Sequence, residues 1–297
     1  MDANLISVEK GFADLEDPAS NYANARVVIL PVPYDATACY LAGTREGPQA
    51  IITASHNMEL FDEELLWSPS EVGIATLKAV EPDMRGPEWM VTAIKERAQP
   101  VIRDGKFLIT IGGEHTISLG SLDAQLEHQA EEICVLQIDA HADLRDSYQG
   151  SQYSHACVMR RVLEKCPAIQ VGLRSFSGPE YDFAQSKGLR LFGMDYIRST
   201  PDWINQVTGA LGPRVYLTID LDGLDPSDCP GVGTPEPGGL HYRELTGLLK
   251  AVFAKCQVIG ADVVECRPLS GQTISEYLAA RLIYKLIGYR FQPAKNT

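Results

Sequence analysis

Residues 135–148, VLQIDAHADLRDSY, run from a mainly apolar stretch into three acids and a histidine: Asp139, His141, Asp143 and Asp146. At the end of a strand, side chains two apart share a face, so Asp139, His141 and Asp143 can converge on one volume. Alone, that triplet fits a metal site and a solvated strand end with a capping aspartate equally well, because short motifs produce many false matches. Asp220 and Asp222 repeat the spacing directly after VYLTI. Their plain alternative is an Asp-rich turn into GLDPSD, in which Asp225 and Asp228 read as turn and cap residues before prolines. His115 follows a Gly-Gly pair and, taken singly, reads as an ordinary polar group at a helix start.

The three clusters together change the weighing. His115, Asp139, His141, Asp143, Asp220 and Asp222 brought to one place would repel strongly, and Arg145 is one cation against four carboxylates. Divalent cations supply the missing charge. Six ligands, mostly oxygen with two imidazoles, exceed one closed tetrahedral zinc site. They suit two borderline-hard ions sharing carboxylates and a bridging water, with Mn²⁺ favoured and Ni²⁺ or Co²⁺ possible. Such pairs lie about 3.5–4 Å apart and deliver a hydroxide at neutral pH. Four aspartates, two divalent ions and a hydroxide leave a charge of about −1, and Glu265 takes it to about −2. A site still negative after taking its metals selects a cationic substrate.

The elements that must position these residues alternate strand and helix. ARVVILPVPY, KFLITIGG, EICVLQID, AIQVGL, LRLFG, RVYLTIDLD and CQVIGADVVE read as strands. Between them, helices are expected from the GTREGP turn to about residue 63, then over EWMVTAIKERAQPVIRDG, TISLGSLDAQLEHQ, ACVMRRVLEK, GPEYDFAQSKG, PDWINQVTGALG, YRELTGLLKAVFAK and ISEYLAARLIYKLIGY. Residues 64–86 read as irregular. Near-continuous apolar strands alternating with helices predict a three-layer α/β/α fold with a mainly parallel central sheet. A polar N-terminal extension over 1–25 and a single domain over 26–297 are expected. The polar clusters GGEHT, DAHAD, DLDGLD and VVECRP all fall at carboxyl ends of predicted strands, where such sheets bind ligands.

The 297-residue chain is 45% hydrophobic and 22% charged, with a formal net charge of −13. That balance speaks against nucleic acid or an anionic membrane surface as partner. No apolar run approaches bilayer length, and the acidic start MDANLISVEKGFADLED lacks a signal peptide's basic and apolar regions, so a cytoplasmic protein is expected. The seven cysteines show no C-x-x-C spacing and read as reduced thiols.

GGEHTIS, IDAHADLRD, SHACVMRR, TIDLDGLDPSDCPGVGTPEPGG and DVVECRP, in this order and after GTREGP, resemble the arginase/agmatinase (ureohydrolase) family over roughly residues 27–290. The resemblance implies an arginase-like α/β/α fold, a dinuclear manganese centre and a homo-oligomer, trimeric or hexameric. It puts His115, Asp139, His141, Asp143, Asp220 and Asp222 on the six metal-ligand positions. His155 falls on the proton-shuttling histidine, Glu265 on the acid that pairs with a guanidinium, and Thr234 on a substrate-contacting threonine. The implied reaction is attack of a metal-bridging hydroxide on the guanidinium carbon. Arginases read the amino-acid end of arginine with an Asn-containing loop and an aspartate. This chain has DSYQGSQYSHACVMRR and GLRSFSGPE there, which are similar to agmatinases making putrescine and urea in polyamine biosynthesis. N1-aminopropylagmatine, guanidinobutyrate, guanidine and arginine are the alternative substrates, with Arg267 in ECRP a departure that bears on the choice. A zinc deacylase of the related histone-deacetylase-like fold is the alternative chemistry, but the chain lacks the paired histidines such enzymes use.

Overall fold

The computed structural model describes residues 5–293; residues 1–4 and 294–297, at the two ends of the expected extension and domain, lie outside the described residues. Eight strands form one sheet: β1 (Val27–Val32), β2 (Ile74–Thr76), β3 (Phe107–Gly112), β4 (Cys134–Ile138), β5 (Ala168–Leu173), β6 (Leu191–Gly193), β7 (Arg214–Asp220) and β8 (Gln257–Val264). The order is β2-β1-β3-β8-β7-β4-β5-β6, and every neighbouring pair is parallel. Among the described residues the helices are α1 (Gly47–Ser55), α2 (Pro87–Arg103), α3 (Ser118–His128), α4 (Val158–Val162), α5 (Gly178–Lys187), α6 (Met194–Ser199), α7 (Trp203–Ala210), α8 (Tyr242–Lys255) and α9 (Ile274–Phe291).

Burial explains why the strands read as unbroken apolar runs. Val27, Ile29, Ile109, Ile111, Leu136, Ile138, Leu217, Ile219, Ala261 and Val263 face one core with α1, α6, α7, α8 and α9. Their neighbours in sequence face the other way: Val28, Leu30 and Leu108 meet α2, while Val135 and Tyr216 meet α3 and α4. A sheet covered on both faces has no solvated side for polar alternation to mark. Pro31 is tolerated inside β1 because its carbonyl accepts from Val80, beyond the three residues paired with β2. The polar groups of residue 31 therefore point toward an open edge, where a missing N–H interrupts no ladder.

The expected α/β/α layering holds, with differences in detail. The stretch read as irregular over 64–86 contains β2, an edge strand of three residues that is too short to show a period. The helix expected to about residue 63 stops at Ser55. Beyond it Asp62 accepts the backbone N–H groups of Glu64 and Leu65 and the ammonium of Lys285, tying a turn where helix was expected. The helix placed over ACVMRRVLEK ends at Val162, α6 was not anticipated, and α7 begins at Trp203 rather than at Pro201. In the N-terminal segment Phe12 is fully buried and its N–H bonds to Thr76 Oγ1. All seven cysteines are free, five of them buried. No helix among the described residues is long and apolar enough to cross a membrane.

β3, β8, β7 and β4 are consecutive in the sheet. Their carboxyl ends carry all four polar clusters found in the sequence.

Candidate active site

His115 stands three residues past β3. Gly113 makes the turn possible: a Cβ there would sit 2.0 Å from the carbonyl oxygen of Tyr34, so only glycine lets the two loops approach. The imidazole is buried, and its Nδ1 lies 3.1 Å from Asp139 Oδ2, 2.9 Å from Asp143 Oδ2 and 3.5 Å from Asp220 Oδ2. Yet Nδ1 makes no hydrogen bond. The other ring nitrogen, Nε2, lies 2.8 Å from Thr218 Oγ1, and that hydroxyl donates to Asp262 Oδ1 at 2.7 Å. With its proton committed to Asp262, Thr218 can only accept from the ring. In its neutral form His115 is thereby held with its proton on Nε2 and a lone pair on Nδ1, the nitrogen that faces three carboxylates. An unpartnered lone pair among carboxylate oxygens is the donor set a divalent cation takes.

A second group adjoins the first. His141 Nδ1 lies 3.0 Å from Asp222 Oδ2 and 3.6 Å from Asp139 Oδ1. Asp139 thus turns one oxygen toward each histidine, and it belongs to both candidate metal groups, His115–Asp139–Asp143 and Asp139–His141–Asp222. Asp220 reaches the first group through its 3.5 Å approach to His115. All six sequence-derived positions are therefore brought together, though not by strand alternation. β4 stops at Ile138, and Asp143 is swung inward by a left-handed backbone (φ 52°). Asp222 lies in a single 3-10 turn after β7, where its N–H bonds to Asp220 Oδ1.

The ligands are braced from behind. Gln137 donates to Asp139 Oδ2 at 2.6 Å and is itself held by Gln170. Ala140 N–H and the Thr234 hydroxyl donate to the two oxygens of Asp222. Arg174 gathers the carbonyls of Gly172, Asp222, Gly223, Leu224, Glu236 and Pro237, pinning the loop after β7.

The charges show what is missing. Burial, reinforced by Asp139, pushes Asp143 up to about 7. Burial and then Asp222, Asp139 and Glu265 raise Asp220 well above the usual carboxylate range. Burial opposes charge on His141, but Asp222 and Asp139 outweigh it and hold the ring at about 12. Raised carboxyl and imidazole values in one buried cluster mark a donor set that favours positive charge. Divalent ions displace protons from such groups when they bind.

A cleft of about 340 Å³ opens over these groups. Glu265 is at its floor, in the left-handed region (φ 63°) just past β8, with Oε1 accepting the His115 N–H at 2.8 Å. Left-handed backbone costs about 1–3 kcal/mol at a non-glycine residue and concentrates at functional sites. Burial, then Glu114, raises the Glu265 pKa well above the usual range, as expected of an acid awaiting a cation. Thr234 and His155 line the same cleft. Burial, followed by His115 and His141, lowers His155 to about 4, so its ring is neutral near pH 7.

Asp146 turns away to Arg161, while Arg145 lies in the cleft wall, its guanidinium over the Tyr148 ring. Arg267 is not in that wall: its Nε bonds to the Ala42 carbonyl and braces the loop opposite. Asp225 and Asp228 do tie turns, Asp225 accepting from Ser227, Gly238 and Gly239, and Asp228 from the Tyr242 N–H that opens α8. Sequence reasoning missed Thr218, Asp262, Gln137 and Gln170. Their signal was available: each is a polar residue inside an apolar strand, where burial demands a partner.

The arginase family's sequence model matches residues 25–288 of the chain. The chain is 42% identical over 277 residues to the N(1)-aminopropylagmatine ureohydrolase of Synechocystis sp., covering 91% of this chain and 90% of that protein. It is likewise 42% identical over 270 residues to the N(1)-aminopropylagmatine ureohydrolase of Thermus thermophilus, covering 91% and 92%. Among solved structures, the agmatine ureohydrolase of Thermoplasma volcanium aligns with a TM-score of 0.85 at 30% identity, over 95% of this chain and 94% of that one.

Proposed function

The chain belongs to the arginase family, and from that premise we propose that it hydrolyses the guanidinium group of a linear guanidino amine, N1-aminopropylagmatine ahead of agmatine, releasing urea and the corresponding amine. The observation that carries the reading is the pair of His/Asp groups sharing Asp139, with a half-buried, cation-seeking Glu265 beside them. His115, Asp139, Asp143 and Asp220 would hold one ion, and His141, Asp139, Asp220 and Asp222 the other, with manganese the proposed metal. Divalent ions there would supply Lewis acidity and lower the pKa of water toward neutrality.

The protein's own groups do the rest. Glu265 has Oε1 committed to His115 and leaves Oε2 for a guanidinium N–H, a charge-assisted bond that orients the cation. Thr234 spends its proton on Asp222, so its oxygen is free to accept from the substrate. A guanidinium is a poor electrophile, and its C–N bond breaks only if the departing nitrogen gains a proton. His155, neutral when at rest, can carry that proton to the leaving amine.

Substrate choice is read from the mouth. Ser177, in the GLRSFSGPE stretch where arginases place an acid for the α-amino group, has its N–H and hydroxyl on Glu180 Oε2, closing the first turn of α5. Tyr40 is 72% exposed and Phe176 43%, and with Tyr148 they give the mouth an aromatic rim rather than a carboxylate reader. Such faces suit an alkylammonium chain. The relatives at 42% identity favour the aminopropyl substrate over agmatine, which led on sequence alone. Agmatine remains the second reading because of the likeness to the agmatine ureohydrolase structure. The test is urea release by the manganese-loaded protein from N1-aminopropylagmatine, agmatine, arginine, guanidinobutyrate and guanidine. The aminopropyl compound should show the highest kcat/KM and arginine no turnover. Silence with every guanidine would overturn the function, and arginine as best substrate would overturn the reading of the mouth.

A further inference from the structure

The loop after β1 reaches over the cleft and touches His155 from outside the metal groups. Asp35 ties the two ends of this loop together by accepting the Gly43 and Arg45 N–H groups and the Arg45 guanidinium. Within it, Thr37 makes four hydrogen bonds. Its N–H donates to Glu114 Oε2 at 2.6 Å, and its hydroxyl donates to Glu114 Oε1 at 2.8 Å. Its oxygen then lies 3.1 Å from His155 Nδ1 and accepts the His155 backbone N–H at 3.0 Å. Glu114 is fully buried. Ser154 Oγ lies 3.4 Å from the same Nδ1, and the Tyr148 ring stands edge-on to the imidazole at 5.9 Å.

Proton counting settles the directions. Thr37 has one hydroxyl proton, and a Glu114 carboxylate takes both it and the amide proton. The hydroxyl oxygen has only lone pairs left, so the ring nitrogen facing it must be N–H. We propose that Glu114 and Thr37 are positioning residues that lock neutral His155 with its proton on Nδ1, presenting the Nε2 lone pair to the cleft as the atom that receives and passes on the catalytic proton. This rests on the reading of His155 as the proton carrier. The arrangement follows the logic of a carboxylate that orients a histidine, with a threonine hydroxyl as the intermediate link and the loop over the cleft supplying it. A misoriented or wrongly protonated ring would leave binding intact and slow the proton transfer, which is worth about 10²–10⁴-fold when well placed.

Thr37→Val is the informative variant, because it deletes the hydroxyl and keeps the backbone N–H that anchors the loop to Glu114. The expected result is a kcat loss of about ten- to a hundred-fold, part of that range, with KM for the best guanidine changing no more than about threefold. Thr37→Ser should recover most of the rate. In a His155→Asn background, Thr37→Val should cost nothing further. Selective ¹⁵N-histidine NMR gives a readout independent of turnover. It would be recorded on the protein as purified and after exchange into a diamagnetic divalent ion. His155 should show the Nδ1-protonated pattern in the wild type and a mixture of tautomers in Thr37→Val. An Nε2-protonated wild-type ring, or an equal rate loss with and without the His155 side chain, overturns the relay. Undiminished kcat in His155→Asn overturns the proton-carrier reading and the relay's catalytic purpose together. The NMR tautomer then tells that failure apart from a mistaken hydrogen-bond direction.

Discussion

Thr218→Val tests whether the lone pair on His115 is prepared by the protein. Thr218 is buried in β7, takes the His115 Nε2–H at 2.8 Å, and passes its own proton to Asp262 Oδ1 at 2.7 Å. Valine has nearly the same shape, so the core stays filled while the ring N–H loses its acceptor. Asp262 retains the Tyr216 hydroxyl at 2.7 Å, so the cost falls mainly on His115. One buried donor left without a partner costs about 1–3 kcal/mol. Paid in the form that binds metal, this equals a loss of about ten- to a hundred-fold in affinity, the range found when a metal-bound histidine loses its outer partner. The assay is competition with a chelating indicator for Mn²⁺, run on wild type, Thr218→Val and Thr218→Ser. Serine should bind nearly as well as threonine. Thermal unfolding without metal checks that the variant still folds. If Thr218→Val binds Mn²⁺ within twofold of the wild type while folding normally, the orienting role assigned to Thr218 is wrong.

Asp139→Ala removes the residue common to both metal groups and should abolish metal occupancy, measured by elemental analysis, together with urea release; wild-type occupancy would refute the ligand assignment. Lys285→Met strips the ammonium from fully buried Asp62 and from Glu64. It should cost about 3–5 kcal/mol in urea unfolding, and a loss below about 1 kcal/mol would show that the pair is not needed. The same cluster sets an acid limit. Burial alone would raise Glu64, but hydrogen bonds from Lys250, Lys285 and Tyr289 prevail and hold it at about 2. A lowered folded pKa gives stability that is complete above the ordinary glutamate value of 4.5 and drains as pH falls toward about 2. Lys285→Met should flatten that part of the stability–pH curve, and an unchanged slope would refute the linkage. Gly113→Ala drives a Cβ to 2.0 Å from the Tyr34 carbonyl oxygen. It should destabilise by about 1–3 kcal/mol or more and weaken metal binding through His115; unchanged melting and affinity would remove the steric argument.

The candidate metal-ligand cluster could be read from sequence because the buried parallel strands are mainly apolar and give way to dense polar motifs at their carboxyl ends. Four such ends fell together, and the sheet places their strands side by side. The means of convergence could not be read. It depends on a left-handed Asp143 and a 3-10 turn at Asp222, which are backbone choices that no periodicity encodes. The supporting shell was hidden for two different reasons. Thr218 passes for an ordinary β-former inside VYLTI. Thr37 reaches Glu114 and His155 across 77 and 118 positions, so nothing local in PYDATACY announces it. Arg267 was a concern as a cation beside the substrate; its neighbour loop, not the cleft, accounts for it. The proposed substrate rests on the relatives, because an aromatic rim is compatible with amine chains of several lengths.

β8 comes last of the strands in the chain and fourth in the sheet. Without it, β1, β2 and β3 on one side and β4, β5, β6 and β7 on the other share no backbone ladder, and each set is left with an unpaired inner edge. His115 belongs to the first, and Asp139, His141, Asp143, Asp220 and Asp222 to the second. No fragment ending before residue 257 can assemble the centre, and a growing chain keeps two sticky borders exposed until nearly all of it has been made. With β8 seated, an ion held by His115 and Asp139 would tie the two halves together as well as serve the chemistry. Taking such a metal out should loosen the molecule along its midline first, with the borders beside β8 opening to hydrogen exchange before the outer strands.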